Sequence, residues 1–171
     1  MKILIKNALR KALPLLIFLI TFGLICYGVF YFLIVPKTPA TVQEIAEVLV
    51  KNGYEPQDIT ALYVAQNPNV AQNLKQCIAI EKEDIHFEFY SFNNEKSAIN
   101  LYSSAYSLII QMRRGFPNVE TNTMIANYCK YTLEASGTYS VAMYVGTTAV
   151  YAYSDTKNMD KIKNILKEIN Y

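Results

Sequence analysis

Residues 13–35 run 23 positions without a charged side chain, between Lys11 and Lys37. As a helix such a run would reach about 34 Å at 1.5 Å per residue, enough for the about 30 Å hydrocarbon core of a bilayer. One transmembrane helix over residues 13–35 is therefore predicted. A cleavable signal has a shorter apolar core, about 7–15 residues, followed by a small-x-small site. Here the chain continues instead as "PKTPAT". Acylation at Cys26 needs a small residue before it, and Ile25 stands there. The stretch is expected to be kept as an uncleaved signal anchor, with Cys26 as an apolar filler.

Charge sets the expected orientation. Lys2, Lys6, Arg10 and Lys11 precede the run, and no acid does. The positive-inside bias then puts residues 1–12 in the cytoplasm as a basic tail. Residues 36–40 become a short Pro-stiffened tether, and residues 41–171 one extracytoplasmic domain at the cell membrane. The four leading cations also explain the net charge of +2, since the remaining chain holds 12 basic and 14 acidic residues. So even a balance leaves no electrostatic footprint for nucleic acid. The bilayer is the expected partner through residues 13–35, with a protein, peptide or envelope partner for the domain.

Thr41-Val-Gln-Glu44 is a capping box, and Val42, Ile45, Ala46 and Leu49 then share one helix face. "CIAIEKEDIHFEFYSF" reads as a hairpin, because Ile85, Phe87 and Phe89 alternate with His86, Glu88 and Tyr90. Asn93 or Asn94 opens a long helix ending at "RRGFPN". The segments "NYCKYTLEA", "TYSVAMYV" and "TAVYAYS" read as three strands separated by Ser136-Gly137 and Gly146-Thr147, and a closing helix buries Ile162, Ile165 and Leu166. The expected fold is α+β: the transmembrane helix, then a twisted antiparallel sheet of about five strands with helices packed mainly on one face.

Chemistry-bearing residues are sparse. His86 is the one histidine, and it shares a strand face with Asp84 and Glu88. Neither a His-x-x-x-His nor a Cys-x-x-Cys spacing accompanies it, so no metal site is expected and His86 is assigned to a solvated face. Arg113-Arg114 could mark an anion contact, but is expected to complement a helix C-terminus. No Gly-x-Ser-x-Gly elbow or phosphate-cradling loop occurs, and no catalytic residue or cofactor is expected. Cys77 and Cys129 admit two readings. Bridged, they would close a loop of about 50 residues worth about 3–4 kcal/mol; unbridged, they are two buried thiols. Tyr128, Tyr144, Tyr151 and Tyr153 fall in the last three strands. If they share an uncovered face they form an amphipathic platform for a ligand; otherwise they reflect the ordinary strand preference of tyrosine.

The pattern from "DIHFEFYSFNNEKSAINLY" through "NYCKYTL" and "TYSVAMYVGTTAVYAYSD" to "IKNILKEINY" resembles small membrane-anchored or lipoprotein-type extracytoplasmic proteins of Gram-positive bacteria. The resemblance implies location and fold class, and no activity. Together these features lead to the expectation of a non-enzymatic binding module on a membrane anchor. The alternative is a cell-surface hydrolase or thiol enzyme using Cys129 or Cys77 with His86, which requires those side chains to meet.

Overall fold

The computed structural model describes the chain apart from residues 1, 71, 83–84 and 114–118, and leaves the side chains of residues 2–12, 15 and 32–34 undescribed. The chain divides into two compact units, Met1–Val35 and Pro36–Tyr171.

The first unit is helix α1 (Lys2–Ile34). Its side chains over residues 16–31 are largely exposed and mostly apolar, as at Phe18, Leu24 and Phe30. The expected transmembrane helix is corrected here: among the described residues no helix is long and apolar enough to cross a membrane. The basic side chains of Lys2, Lys6, Arg10 and Lys11 lie outside the described residues.

The second unit runs α2 (Val42–Lys51), β1 (Gln57–Asp58), α3 (Thr60–Gln66), β2 (Leu74–Lys82), β3 (Ile85–Phe92), α4 (Glu95–Gln111), β4 (Val119–Ile125), β5 (Tyr128–Ala135), β6 (Thr138–Val145), β7 (Thr148–Asp155) and α5 (Met159–Glu168). The seven strands form one antiparallel sheet in the order β1-β2-β3-β7-β6-β5-β4. The class is α+β, but the expectation of about five strands is corrected to seven. The two additional strands are the edges. β1 is two residues long, and β4 (VETNTMI) buries neither face, so neither carries the apolar alternation that marks a strand.

Local chemistry accounts for the elements. Thr41 accepts from the Glu44 N–H at 3.2 Å and Glu44 Oε2 accepts from the Thr41 N–H at 2.7 Å, closing the capping box of α2. Asn94 caps α4 by accepting from the Ser97 N–H at 2.9 Å. Ser136 and Gly137 both have positive φ, 52° and 81°, the primed hairpin geometry that matches strand twist.

Helices cover both faces, which corrects the expectation of helices mainly on one. Amphipathic stripes show that a helix packs on a sheet, not on which side. On the first side, α2 and α5 bring Ile45, Leu49, Ile162 and Ile165 onto Phe87, Phe89, Val141 and Met143. On the second, α3 and α4 cover Cys77, Tyr90, Phe92, Cys129, Tyr131 and Tyr144. We call these the α5 face and the α4 face.

Residues 36–40, expected as a tether, are strapped to the second unit. The Lys37 N–H donates to Asn127 Oδ1 at 2.9 Å while Asn127 Nδ2 donates to the Lys37 carbonyl at 2.8 Å. The Ala40 N–H donates to the Tyr171 hydroxyl at 2.8 Å. Gly146 is required beneath the strap, because a Cβ there would sit 2.8 Å from Pro39 Cγ and its φ is +51°.

Candidate binding site on the α4 face

Strand register sorts the four tyrosines expected to form a platform. Tyr128 pairs with Val145 and belongs to the α5 face, where Lys37 Nζ lies 4.5 Å from its ring centroid. Tyr144 pairs with Cys129 on the α4 face, but α4 buries it through Tyr102, whose ring meets it edge-on at 5.5 Å. Tyr151 and Tyr153 remain half-buried on that same face. One row therefore does not hold all four.

His86 lies across from Tyr153 in the β3–β7 register and stacks on its ring, 4.5 Å between centroids at 16°. Its side chain is 15 % exposed, so the expected solvated position is corrected to a half-buried one. Nδ1 meets Glu81, and Nε2 lies 3.2 Å from Glu88 Oε1. Burial works to lower the imidazole pKa, but hydrogen bonds and charge from Glu88 and Glu81 outweigh it, and the net shift is upward. Asp84 lies outside the described residues. No group of three or more potential metal ligands converges among the described residues.

The Glu88 carboxylate continues this chain of contacts. The Tyr90 hydroxyl donates to Glu88 Oε2 at 2.5 Å, and the Tyr63 ring abuts Tyr90 edge-on at 4.9 Å. Burial, first, and then the Glu88 charge push the Tyr90 phenol well above its ordinary range. Tyr90 is thus held as a neutral donor, aimed at the Glu88 side chain.

The cysteines do not meet each other or the histidine. Both are free and buried. They occupy one cross-strand row, Cys77–Tyr90–Ala149–Tyr144–Cys129, with three strands between them. Four strand steps of about 4.8 Å separate them by about 19 Å, whereas a disulfide needs Cα atoms within about 7 Å. His86 lies four residues along β3 from Tyr90, the partner of Cys77, which is about 13 Å of strand. Burial, followed by the Glu88 charge, pushes the Cys77 thiol upward, away from a reactive thiolate. Arg113, just beyond the end of α4, pairs with Glu120, and Arg114 lies outside the described residues.

Beside the His86–Glu88–Tyr90 chain, α3 and α4 stand apart over β3 and leave a pocket of about 670 Å³. Glu88, Tyr90, Phe92 and Tyr151 form its floor, Leu62, Leu101 and Leu108 its apolar walls, and Gln66, Asn67, Asn69, Asn73 and Asn100 an amide-rich rim. The rim is held in place: Asn67 Nδ2 donates to the Tyr63 carbonyl at 3.1 Å, and Asn94 Nδ2 to Asn73 Oδ1 at 2.8 Å. Among the described residues, neither a lysine nor an arginine lines it. Sequence reasoning missed this pocket. Its signal was the run "AQNPNVAQN", residues 65–73, whose density of carboxamides exceeds what a simple connection needs.

No family model and no curated protein matches the chain. Among solved structures it is similar to a GTP binding regulator from Thermotoga maritima, at 12% identity and a TM-score of 0.44, covering 78% of this chain and 90% of that one. It is also similar to the extracellular domain of PknH from Mycobacterium tuberculosis, at 13% identity and a TM-score of 0.36, covering 77% of this chain and 92% of that one.

Proposed function

We propose that residues 36–171 form a non-enzymatic binding module of the cell envelope, associated with lipid through the apolar α1. The module takes a neutral peptide segment of a protein partner in the pocket between α3 and α4. The observation that carries this reading is the pocket's composition. Carboxamides on the rim can donate to and accept from peptide groups at once. Leucines and tyrosines below them would take one apolar or aromatic side chain. A wall without lysine or arginine disfavours an anionic ligand.

The chain contains no tryptophan, so one introduced at the rim reports alone. Leu62 is 57% exposed and lines the pocket. The full-length Leu62→Trp protein, in detergent micelles, is titrated with a pool of neutral hexapeptides. A saturable emission change is expected, and it is lost when Asn100→Arg fills the pocket. No change with any peptide, or a change that survives Asn100→Arg, would overturn the proposal.

A further inference from the structure

We infer that the protein forms a two-fold dimer in which β4 pairs antiparallel with β4 of a second copy, joining the two sheets into one. β4 is the terminal strand of the sheet, seven residues long and in unbroken register with β5. A free edge offers a row of backbone donors and acceptors, and proteins normally blunt it with lysine, proline, a bulge or extreme shortness. The opposite edge is blunted in this way: β1 has two residues and follows Pro56. β4 is not. It contains no lysine or proline, and its single charge, Glu120, is held by Arg113 of its own chain. Val119 and Met124 are 64% and 74% exposed.

The sequence of β4 identifies the occupant. Val119-Glu120-Thr121-Asn122-Thr123-Met124-Ile125 is nearly symmetric about Asn122. A two-fold axis there sets Thr121 opposite Thr123 of the second copy, and Val119 opposite Ile125 of the second copy. Threonine pairs and β-branched pairs directly across strands are favourable, and Thr121 already makes such a contact with Thr132 at 2.6 Å within the chain. On the other face Asn122 meets itself, and Glu120 meets Met124 of the second copy, so no like charges are opposed. An isologous interface demands this self-complementarity, whereas an unrelated strand does not.

The test is cross-linking of the full chain in detergent micelles, in a Cys26→Ala, Cys129→Ala background. The first substitution removes the exposed thiol; the second removes a thiol whose Sγ lies 4.0 Å from Asn122 Oδ1. On oxidation Asn122→Cys should give disulfide-linked dimer, as should the Thr121→Cys/Thr123→Cys double variant. Thr121→Cys alone should give roughly tenfold less, because its own copies lie about 8 Å apart, beyond disulfide reach. Asn122→Lys opposes two ammonium groups and should sediment as monomer with unchanged far-UV circular dichroism. Absence of linked dimer from both Asn122→Cys and the double variant would overturn the inference. So would equal yields from Asn122→Cys and Thr121→Cys, which would indicate random collision.

Discussion

The two faces of the sheet differ in composition. The α5 face packs aliphatic groups from α2 and α5 against Phe87, Phe89, Val141, Met143 and Val150, all 1 % exposed or less, and it also holds Tyr54, Tyr128, Tyr139 and Tyr171. The α4 face is made of tyrosines, a histidine between two glutamates, two thiols and a pocket. Large aromatic groups that also carry polar atoms combine an apolar body with a hydrogen-bonding handle, which suits a recognition surface. The difference teaches that the sheet is anchored from one side and leaves the other free to vary its chemistry.

The largest expected effect lies on the anchoring side. Phe87→Ala should destabilise the protein by about 3–5 kcal/mol, as a fully buried phenyl leaves a cavity; urea unfolding monitored by circular dichroism measures it. Tyr153→Ala on the other face should cost far less, because its ring is only half-buried. Equal losses at the two positions would erase the distinction. Next, Tyr90→Phe removes the donor held 2.5 Å from Glu88 Oε2. Hydrogen bonds to charged groups contribute about 1.5–3 kcal/mol, and the same urea assay should show a loss of that order.

A smaller effect should have the opposite sign. The Tyr131 hydroxyl is buried on the α4 face with no hydrogen-bond partner among the described residues. Tyr131→Phe should therefore raise stability by about 1 kcal/mol, since an unsatisfied buried hydroxyl is relieved of its desolvation cost. A loss on this substitution would mean the hydroxyl is satisfied in solution.

The smallest effect sharpens the comparison through pH. The His86 pKa is raised from 6.5 in the folded protein, where Glu81, Glu88, Tyr151 and Tyr153 surround the ring. A raised histidine contributes stability that is fully present below about pH 6.5 and is lost as pH climbs through the folded value. The melting temperature of the wild type, relative to His86→Gln, should fall between pH 6 and pH 9. A difference that stays flat or grows across that range would contradict the ion pairs at this site.

How much of this was legible in the sequence follows from where each residue's neighbours come from. The period-2 run at Ile85, Phe87 and Phe89 and the Thr41–Glu44 box were readable, because each encodes its structure within a few residues. β4 was not, since a strand buried on neither side has no hydrophobic period to show. The split of Tyr128 from Tyr144, Tyr151 and Tyr153 depended on register across three strands, which a tyrosine count does not contain. The pocket needed residues from α3, β3, α4 and β7 at once. Its amide-rich rim was visible in residues 65–73, but its floor at Glu88 and Tyr90 read only as the outer side of a strand.

The most direct test of the division between the faces is methyl-resolved NMR of the full chain in micelles, with the pool of neutral hexapeptides added. Shifts should cluster at Leu62, Leu101 and Leu108 around the pocket, leaving Ile162, Ile165 and Leu166 of the α5 face unmoved. Shifts confined to the α5 face, spread equally over both, or absent altogether would contradict the assignment of recognition to the α4 face.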